Sequence, residues 1–268
     1  MNKQLKEITD TLKQKTEKTC CSITVLNDAP SILDNKMGGR PYLPVGESYP
    51  YHNDEPMVLL LQVNCKDLHL PEYPDNGILE IFIDASLDSF PYYSVVRYYQ
   101  EGLNYQTDFP EINYKMSVFW EKGRSGDIGY KINLKNVKVF MNMTDYRFDK
   151  LVRETVYDVT GITLDKHNYC LSDLEKYFPE EKDIFEFIFN ELENDKYPIT
   201  IGGYAAFTQE DPRPVDFKNQ DECLFKFDSC YDLSKFYIGD AGIMCFFISK
   251  EEIAAHDFYM AKVSWDCC

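Results

Sequence analysis

The chain contains no apolar run approaching the roughly eighteen residues that a membrane-spanning helix needs, so no membrane contact is expected. It is poor in positive charge: 28 Lys and Arg stand against 45 Asp and Glu, a formal net charge of −17. That balance removes the basic footprint on which broad contact with a phosphate backbone depends, and nucleic acid is excluded as a partner. Histidine is scarce. The four present, His52, His69, His167 and His256, include no pair at metal-ligand spacing. No Cys-x-x-Cys occurs, and the adjacent pairs Cys20-Cys21 and Cys267-Cys268 cannot easily aim both thiols at one ion. Walker loops, dinucleotide fingerprints, nucleophile elbows and zincin motifs are all missing. Neither a metal nor a cofactor is expected, and no residue is assigned as catalytic.

What is present describes a folded, strand-rich protein. Aromatics make up 15% of the 268 residues, with 20 Tyr and 18 Phe, which argues for a packed globule despite the charge. Nine cysteines, an odd number, in a chain opening Met-Asn-Lys without a signal peptide read as reduced thiols of a cytoplasmic protein, expected to be monomeric. The electrostatic complement of so acidic a chain is a basic protein or peptide. Acidity also keeps a Tyr-rich surface in solution, with no partner implied.

One pattern occurs twice. Each copy holds a Gly-Gly turn, an apolar run, and a second run led by Gly: Gly38-Gly39, Val58 to Asn64 and Gly77 to Ile83 in the first, Gly202-Gly203, Cys223 to Asp228 and Gly242 to Ile248 in the second. Gly39 and Gly203 lie 164 positions apart, as do Gln62 and Lys226, while Gly77 and Gly242 lie 165 apart. Three matches in order, with one inserted residue covering the drift, indicate an internal repeat. The expected fold is α+β: one duplicated domain over residues 1–268, with mixed or antiparallel β halves at about 36–99 and 199–268. A pseudo-twofold relates the halves, and helices lie at the N-terminus and in a central insertion of about 100–198.

Leu5, Ile8 and Leu12 give residues 2 to about 19 a helical stripe, and strands follow at Ile23–Leu26, Val58–Val63, Ile78–Ile83 and Ser94–Tyr99. Alternation predicts strands over 113–120, 128–140 and Tyr259–Trp265. Thr144 or Asp145 is expected to cap a helix that Gly161 ends, Ser172 and Glu175 to form a capping box, Pro179 to interrupt the next helix, and Ser249 and Glu252 to cap a short one. Residues 172–195 hold nine acids and two Lys, either a solvated helix face or a docking surface for a basic partner.

Two copies packed about a pseudo-twofold leave a groove where equivalent loops meet. Its candidate lining is Gly38, Gly39 and Pro41 in the first copy and Gly203, Gln209, Asp211, Arg213, Asp240 and Asp266 in the second. Consecutive glycines permit positive φ and close approach of a ligand, or simply make a turn. Arg213, two positions after Asp211 across Pro212, either locks its own turn or presents a fork to a carboxylate. Gln62, the polar break in an apolar strand, must be hydrogen-bonded or face a cleft if it points inward.

Lys36 to Pro44, Leu60 to Asn64, Gly202 to Tyr204 with Gln209 to Arg213, Gly239 to Gly242 and the terminal Trp265-Asp266-Cys267-Cys268 resemble the bacterial YwqG family across nearly the whole chain. Tyr49-Pro50 stands where that family often has Trp-Pro. The family is a domain of unknown function, so this resemblance implies a fold and no mechanism. The Gly-Gly-x-Pro turn followed by Leu-Leu-Gln-Val is similar, over a shorter stretch, to the programmed-cell-death-2 group, which implies a chaperone for a basic ribosomal protein. The resulting reading is a protein- or peptide-binding, chaperone-like module for a basic client. Its rivals are a hydrolase using Asp211 or Asp240 at the cleft between repeats, and a bacterial immunity or antitoxin protein.

Overall fold

The computed structural model describes residues 2–84, 93–100, 102, 104–112, 128–192, 196–229 and 242–267. The protein is of mixed α+β class, built on one large antiparallel sheet nearly closed into a barrel, with six helices among the described residues. The strand anticipated at 113–120 lies outside them.

Helix α1 (Lys3–Thr16) begins where the Asn2 side chain accepts a hydrogen bond from Gln4 N at 2.9 Å and ends on Lys13 and Lys15, a cap and a charge order that both favour the helix. Its stripe of Leu5, Ile8 and Leu12 is fully buried. The chain then enters β1 (Lys18–Val25), β2 (Lys36–Met37), a small hairpin of β3 (Tyr51–His52) and β4 (Glu55–Pro56), β5 (Val58–Asn64), β6 (Ile78–Ile83), β7 (Ser94–Tyr99) and β8 (Tyr130–Val139). Three helices follow, α2 (Phe148–Thr160), α3 (Cys170–Tyr177) and α4 (Ile184–Leu192), then β9 (Ile199–Ile201), the single turn α5 (Arg213–Asp216), β10 (Glu222–Asp228), β11 (Ile243–Ile248), α6 (Lys250–Ala254) and β12 (Lys262–Asp266).

The sheet order is β12-β11-β10-β9-β1-β8-β2-β5-β6-β7. From the central pair β1–β8 it therefore runs outward through β9, β10, β11 and β12 on one side and through β2, β5, β6 and β7 on the other. Each arm carries one irregularity in register, between Leu59 and Leu61 and between Cys223 and Phe225. At the two ends of the sheet, Tyr98 of β7 meets His256 at 5.3 Å and Phe258 at 5.8 Å, just ahead of β12.

The continuous apolar runs follow from burial on both faces. One face of β5, β6, β10 and β11 contributes Leu60, Val63, Leu79, Ile81, Phe227 and Phe246 to the largest core cluster. The opposite face is sealed in three places. Helices α1 to α4 cover Cys20, Val137 and Val139; Leu43, Tyr49 and Met57 cover Leu59 and Phe82; and Ala205 and Phe207 cover Cys223, Cys245 and Phe247.

Several local expectations change. Helix α2 has Arg147 at its N-cap with no side-chain cap bond, because the Asp145 carboxylate is engaged by two arginines. Helix α3 starts at Cys170, ahead of the expected box at Ser172, and its N-cap Tyr169 supplies no side-chain bond; Asp149, from α2, accepts instead from Cys170 N at 3.0 Å. Gly161 ends α2 at φ 73, α3 and α4 are separated across Pro179, and Ser249 with Glu252 forms the reciprocal box, all as the residues require.

Candidate functional site

The residues singled out from the sequence fall into two groups, one in each arm of the sheet. Gly38 and Gly39 make a left-handed turn at φ 69 and 77. A Cβ on Gly39 would stand 2.9 Å from the Ile128 carbonyl oxygen, so this glycine pair admits another segment of the chain. Pro41 is buried. The Gln62 amide is fully satisfied: Oε1 accepts from Tyr42 N at 2.7 Å, and Nε2 donates to the Ile32 and Asp34 carbonyls at 2.7 and 3.0 Å.

Gln62 belongs to a row that register creates. Lys36 pairs with Gln62, Gln62 with Glu80 and Glu80 with Arg97 across β2, β5, β6 and β7, and directly opposed residues of antiparallel strands share a face. Lys36 Nζ donates to the Ser31 and Ile32 carbonyls at 3.1 and 2.9 Å. Neither Glu80 oxygen has a hydrogen-bond partner among the described residues. Burial drives the Glu80 carboxyl up to about 8, against the pull of the nearby Lys36 charge, and burial brings Lys36 down to about 8. Sequence reasoning passed over Glu80; its signal was a lone acid inside the apolar run Ile78-Leu79-Glu80-Ile81.

The second group surrounds Arg213, whose side chain is 1% exposed. Its guanidinium donates to Asp211 Oδ1 and Oδ2 at 2.9 and 3.1 Å through Nε, to the Asp221 carbonyl at 2.9 Å and to Asp145 Oδ2 at 2.8 Å. Burial raises the Asp145 carboxyl, but hydrogen bonds from Arg147 and the Arg213 charge outweigh it and hold the group below the ordinary carboxylate range. Asp211 also accepts from Tyr146 N at 3.1 Å, so its oxygens are occupied by the chain itself. Asp266 accepts from Thr208 N and Gln209 N at 2.8 and 2.9 Å, and Gln209 Nε2 donates to the Cys267 carbonyl at 2.8 Å. Gln209, Asp211, Arg213 and Asp266 thus lock the loop after β9 onto the sheet. Asp240 lies outside the described residues.

Gly203 borders a cavity built from described residues. It encloses about 250 Å³ and is assembled from distant pieces: Glu17 to Thr19 entering β1, Leu70 to Tyr73 between β5 and β6, the Gly202-Gly203 turn after β9, Glu222 and Cys223 of β10, and Lys250 and Ile253 of α6. Gly203 has φ 83, and a Cβ there would meet Cys20 Cβ at 3.0 Å, so glycine lets this turn sit against β1. Tyr73 joins the arms by donating its hydroxyl to the Leu224 carbonyl at 3.3 Å. Tyr73→Phe is expected to cost about 1 kcal/mol of unfolding free energy in a urea titration, the net worth of one such bond.

The wall is apolar at Leu70, Tyr73 and Ile253 and charged at its rim. Glu222 is held by Lys18 at 2.7 Å and Lys250 at 3.6 Å; burial raises its carboxyl, but the Lys18 hydrogen bond and charge prevail and keep it ionised below the ordinary range. Glu17 pairs with Lys138 at 2.6 Å across an exposed surface, and Glu72 is exposed. The rim therefore carries three carboxylates and two ammonium groups.

Comparison with known families matches residues 35–267 to a family model described as a domain of unknown function, DUF1963. No curated protein matches the chain significantly.

Proposed function

Since the chain belongs to the DUF1963 family of domains of unknown function, and family membership carries no reaction, we propose that it is a peptide-binding, chaperone-like module for a basic client, with the cavity beside Gly203 as its anchor point. The observation that carries this reading is the construction of that cavity. An apolar wall of Leu70, Tyr73 and Ile253 suits the aliphatic stem of a Lys or Arg side chain, and Glu72 at the rim suits its charged head, with Glu17, which also holds Lys138, adding to the negative field. The overall charge of −17 steers basic chains toward it. Resemblance to the programmed-cell-death-2 group supports the same reading.

The two arms of the sheet descend, in this proposal, from one duplicated unit related by a pseudo-twofold near the β1–β8 pair. Support comes from the outward strand order, the register irregularities at Leu59/Leu61 and Cys223/Phe225, and the spacing of the glycine turns. The cavity then lies at the seam, because Leu70 to Tyr73 come from the first arm and Gly202-Gly203 from the second. The protein acts as a monomer in the cytoplasm, without membrane or nucleic-acid contact.

Calorimetric titration with an unstructured Lys-rich peptide tests the reading. Glu17→Lys combined with Glu72→Lys, both at exposed positions, is expected to weaken binding about tenfold, at a stability cost of no more than about 1 kcal/mol for the lost surface pair with Lys138. Equal affinity for a Glu-rich peptide, or no change in the double variant, would overturn it.

A further inference from the structure

Helix α4 buries one apolar stripe and carries two further aromatic rings on its exposed side, beside Glu186 and Asn190. Ile184, Ile188 and Leu192 point into the core shared with α1, α2 and α3. On the other side Phe185 and Phe189 are 47% and 38% exposed, one helical turn apart, with ring centroids at 6.4 Å and planes within 5° of parallel. Two large rings left in water beside each other represent apolar area that a monomer normally buries.

The charge around them selects the occupant. Glu180, Asp183 and Glu186 are exposed at the start of the helix, with Lys182 the one cation among them. Glu191, on the flank, is already paired with Lys13 of α1, and this pair with the buried Ile184, Ile188 and Leu192 fixes α4 on the body of the protein. A second copy of the chain would bring the same carboxylates against this face, and an anionic lipid surface would be repelled in the same way. A basic amphipathic helix is the complementary partner: its apolar stripe covers the two rings, and its lysines or arginines meet the acidic rim.

We propose that the Phe185–Phe189 face of α4 is a docking surface for a basic amphipathic helix of a protein client. This rests on the reading of the chain as a binder of basic clients, and it uses a surface built from other residues than the Gly203 cavity.

The test titrates a Leu–Lys peptide, with leucines at i, i+3, i+4 and i+7, into the full chain. Phe185→Ser with Phe189→Ser is expected to weaken binding about tenfold or more, the scale of a lost aromatic anchor. Tyr259→Ser, which removes an aromatic 70% exposed elsewhere, is the control for general loss of apolar surface and should leave affinity unchanged. A Leu–Glu peptide of the same pattern should not bind. Unchanged affinity in the Phe variant, or an equal loss in Tyr259→Ser, overturns the α4 surface. If that happens while Glu17→Lys with Glu72→Lys still weakens the Lys-rich peptide, the cavity reading survives alone; if neither peptide binds the unmodified chain, both readings fall. Circular dichroism of the variant should match the parent, since neither ring contributes to the buried cluster.

Discussion

Replacing Arg213 by Ala is expected to lower the unfolding free energy by about 3 to 5 kcal/mol, the range seen when one partner of a buried ion pair is removed. The side chains of Arg213, Asp145 and Asp211 are 1%, 0% and 3% exposed. Deleting the guanidinium leaves Asp145 with Arg147 alone and Asp211 with only backbone donors, and opens space between Tyr146 and Phe247, whose rings lie 5.2 and 5.4 Å from the guanidinium carbon. Lysine should recover little, because one ammonium cannot reach Asp145, Asp211 and the Asp221 carbonyl together. Urea denaturation at neutral pH provides the measurement. Adding Asp211→Asn to Arg213→Ala should restore part of the loss, since it removes a carboxylate left without its cation. A loss below about 1 kcal/mol would mean that water replaces the guanidinium and that the loop after β9 is not locked by it.

Glu80 should make the protein progressively less stable as pH rises from about 5 to 8. Its carboxyl titrates near 8 in the folded chain because it is buried, whereas an unfolded carboxyl ionises at its ordinary value. The folded state therefore binds the extra proton throughout that window. The stabilisation is complete below the unfolded pKa and is lost as pH climbs through the folded one. Lys36 acts in the opposite sense: its folded pKa is brought down to about 8 by burial, so its contribution is present above the unfolded lysine value and is lost as pH falls toward 8. Stability governed by this pair should pass through a minimum near pH 8. The Glu80 limb is worth on the order of 2 to 4 kcal/mol, allowing for relaxation around a buried ion. In Glu80→Gln that falling limb should vanish, leaving no loss of stability between pH 5 and 8 and a more stable protein than the parent at pH 8. Melting temperatures read across that range decide the matter; parallel slopes for parent and variant would place the titration elsewhere.

Residues that carry both of these predictions were unequally visible beforehand. Arg213 and Asp211 stood out because a proline lies between them, and the tighter of the two available meanings, a turn locked by its own arginine, is the one adopted. The additional partner, Asp145, lies 68 positions away, and no local pattern announces a contact at that distance. Gln62 was marked by being polar within the run Val58-Leu59-Leu60-Leu61-Gln62-Val63, and the condition attached to it, that an inward amide be hydrogen-bonded, is met by Tyr42, Ile32 and Asp34. Glu80 was equally anomalous in its own strand. Its meaning depends on lying opposite both Gln62 and Arg97, which is a property of pairing.

The expected common groove shows the same division. Gly38-Gly39 and Gly202-Gly203 are equivalent in sequence and both take positive φ, but the first pair is packed against Ile128 and Gly129 while the second borders the cavity. Identical turn chemistry serves different surroundings, because what approaches a glycine is set by distant segments. The cavity wall at Leu70 to Tyr73 went unnoticed for that reason: it is a connection between two strands, without a motif.

The sequence by itself determined which of the long apolar stretches become strands and helices, and a few of their ends, at Gly161 and at Ser249 with Glu252, since apolar period, glycine turns and capping residues act within a few positions of one another. It also determined the sign of the protein's field, which needs only a count of charges. Tertiary structure alone decided that β1 lies between β8 and β9, that Lys36, Gln62, Glu80 and Arg97 form one row, and that Phe185 and Phe189 remain outside. Those outcomes depend on strand register and on which helix face meets the core, and both are settled by burying the whole chain at once.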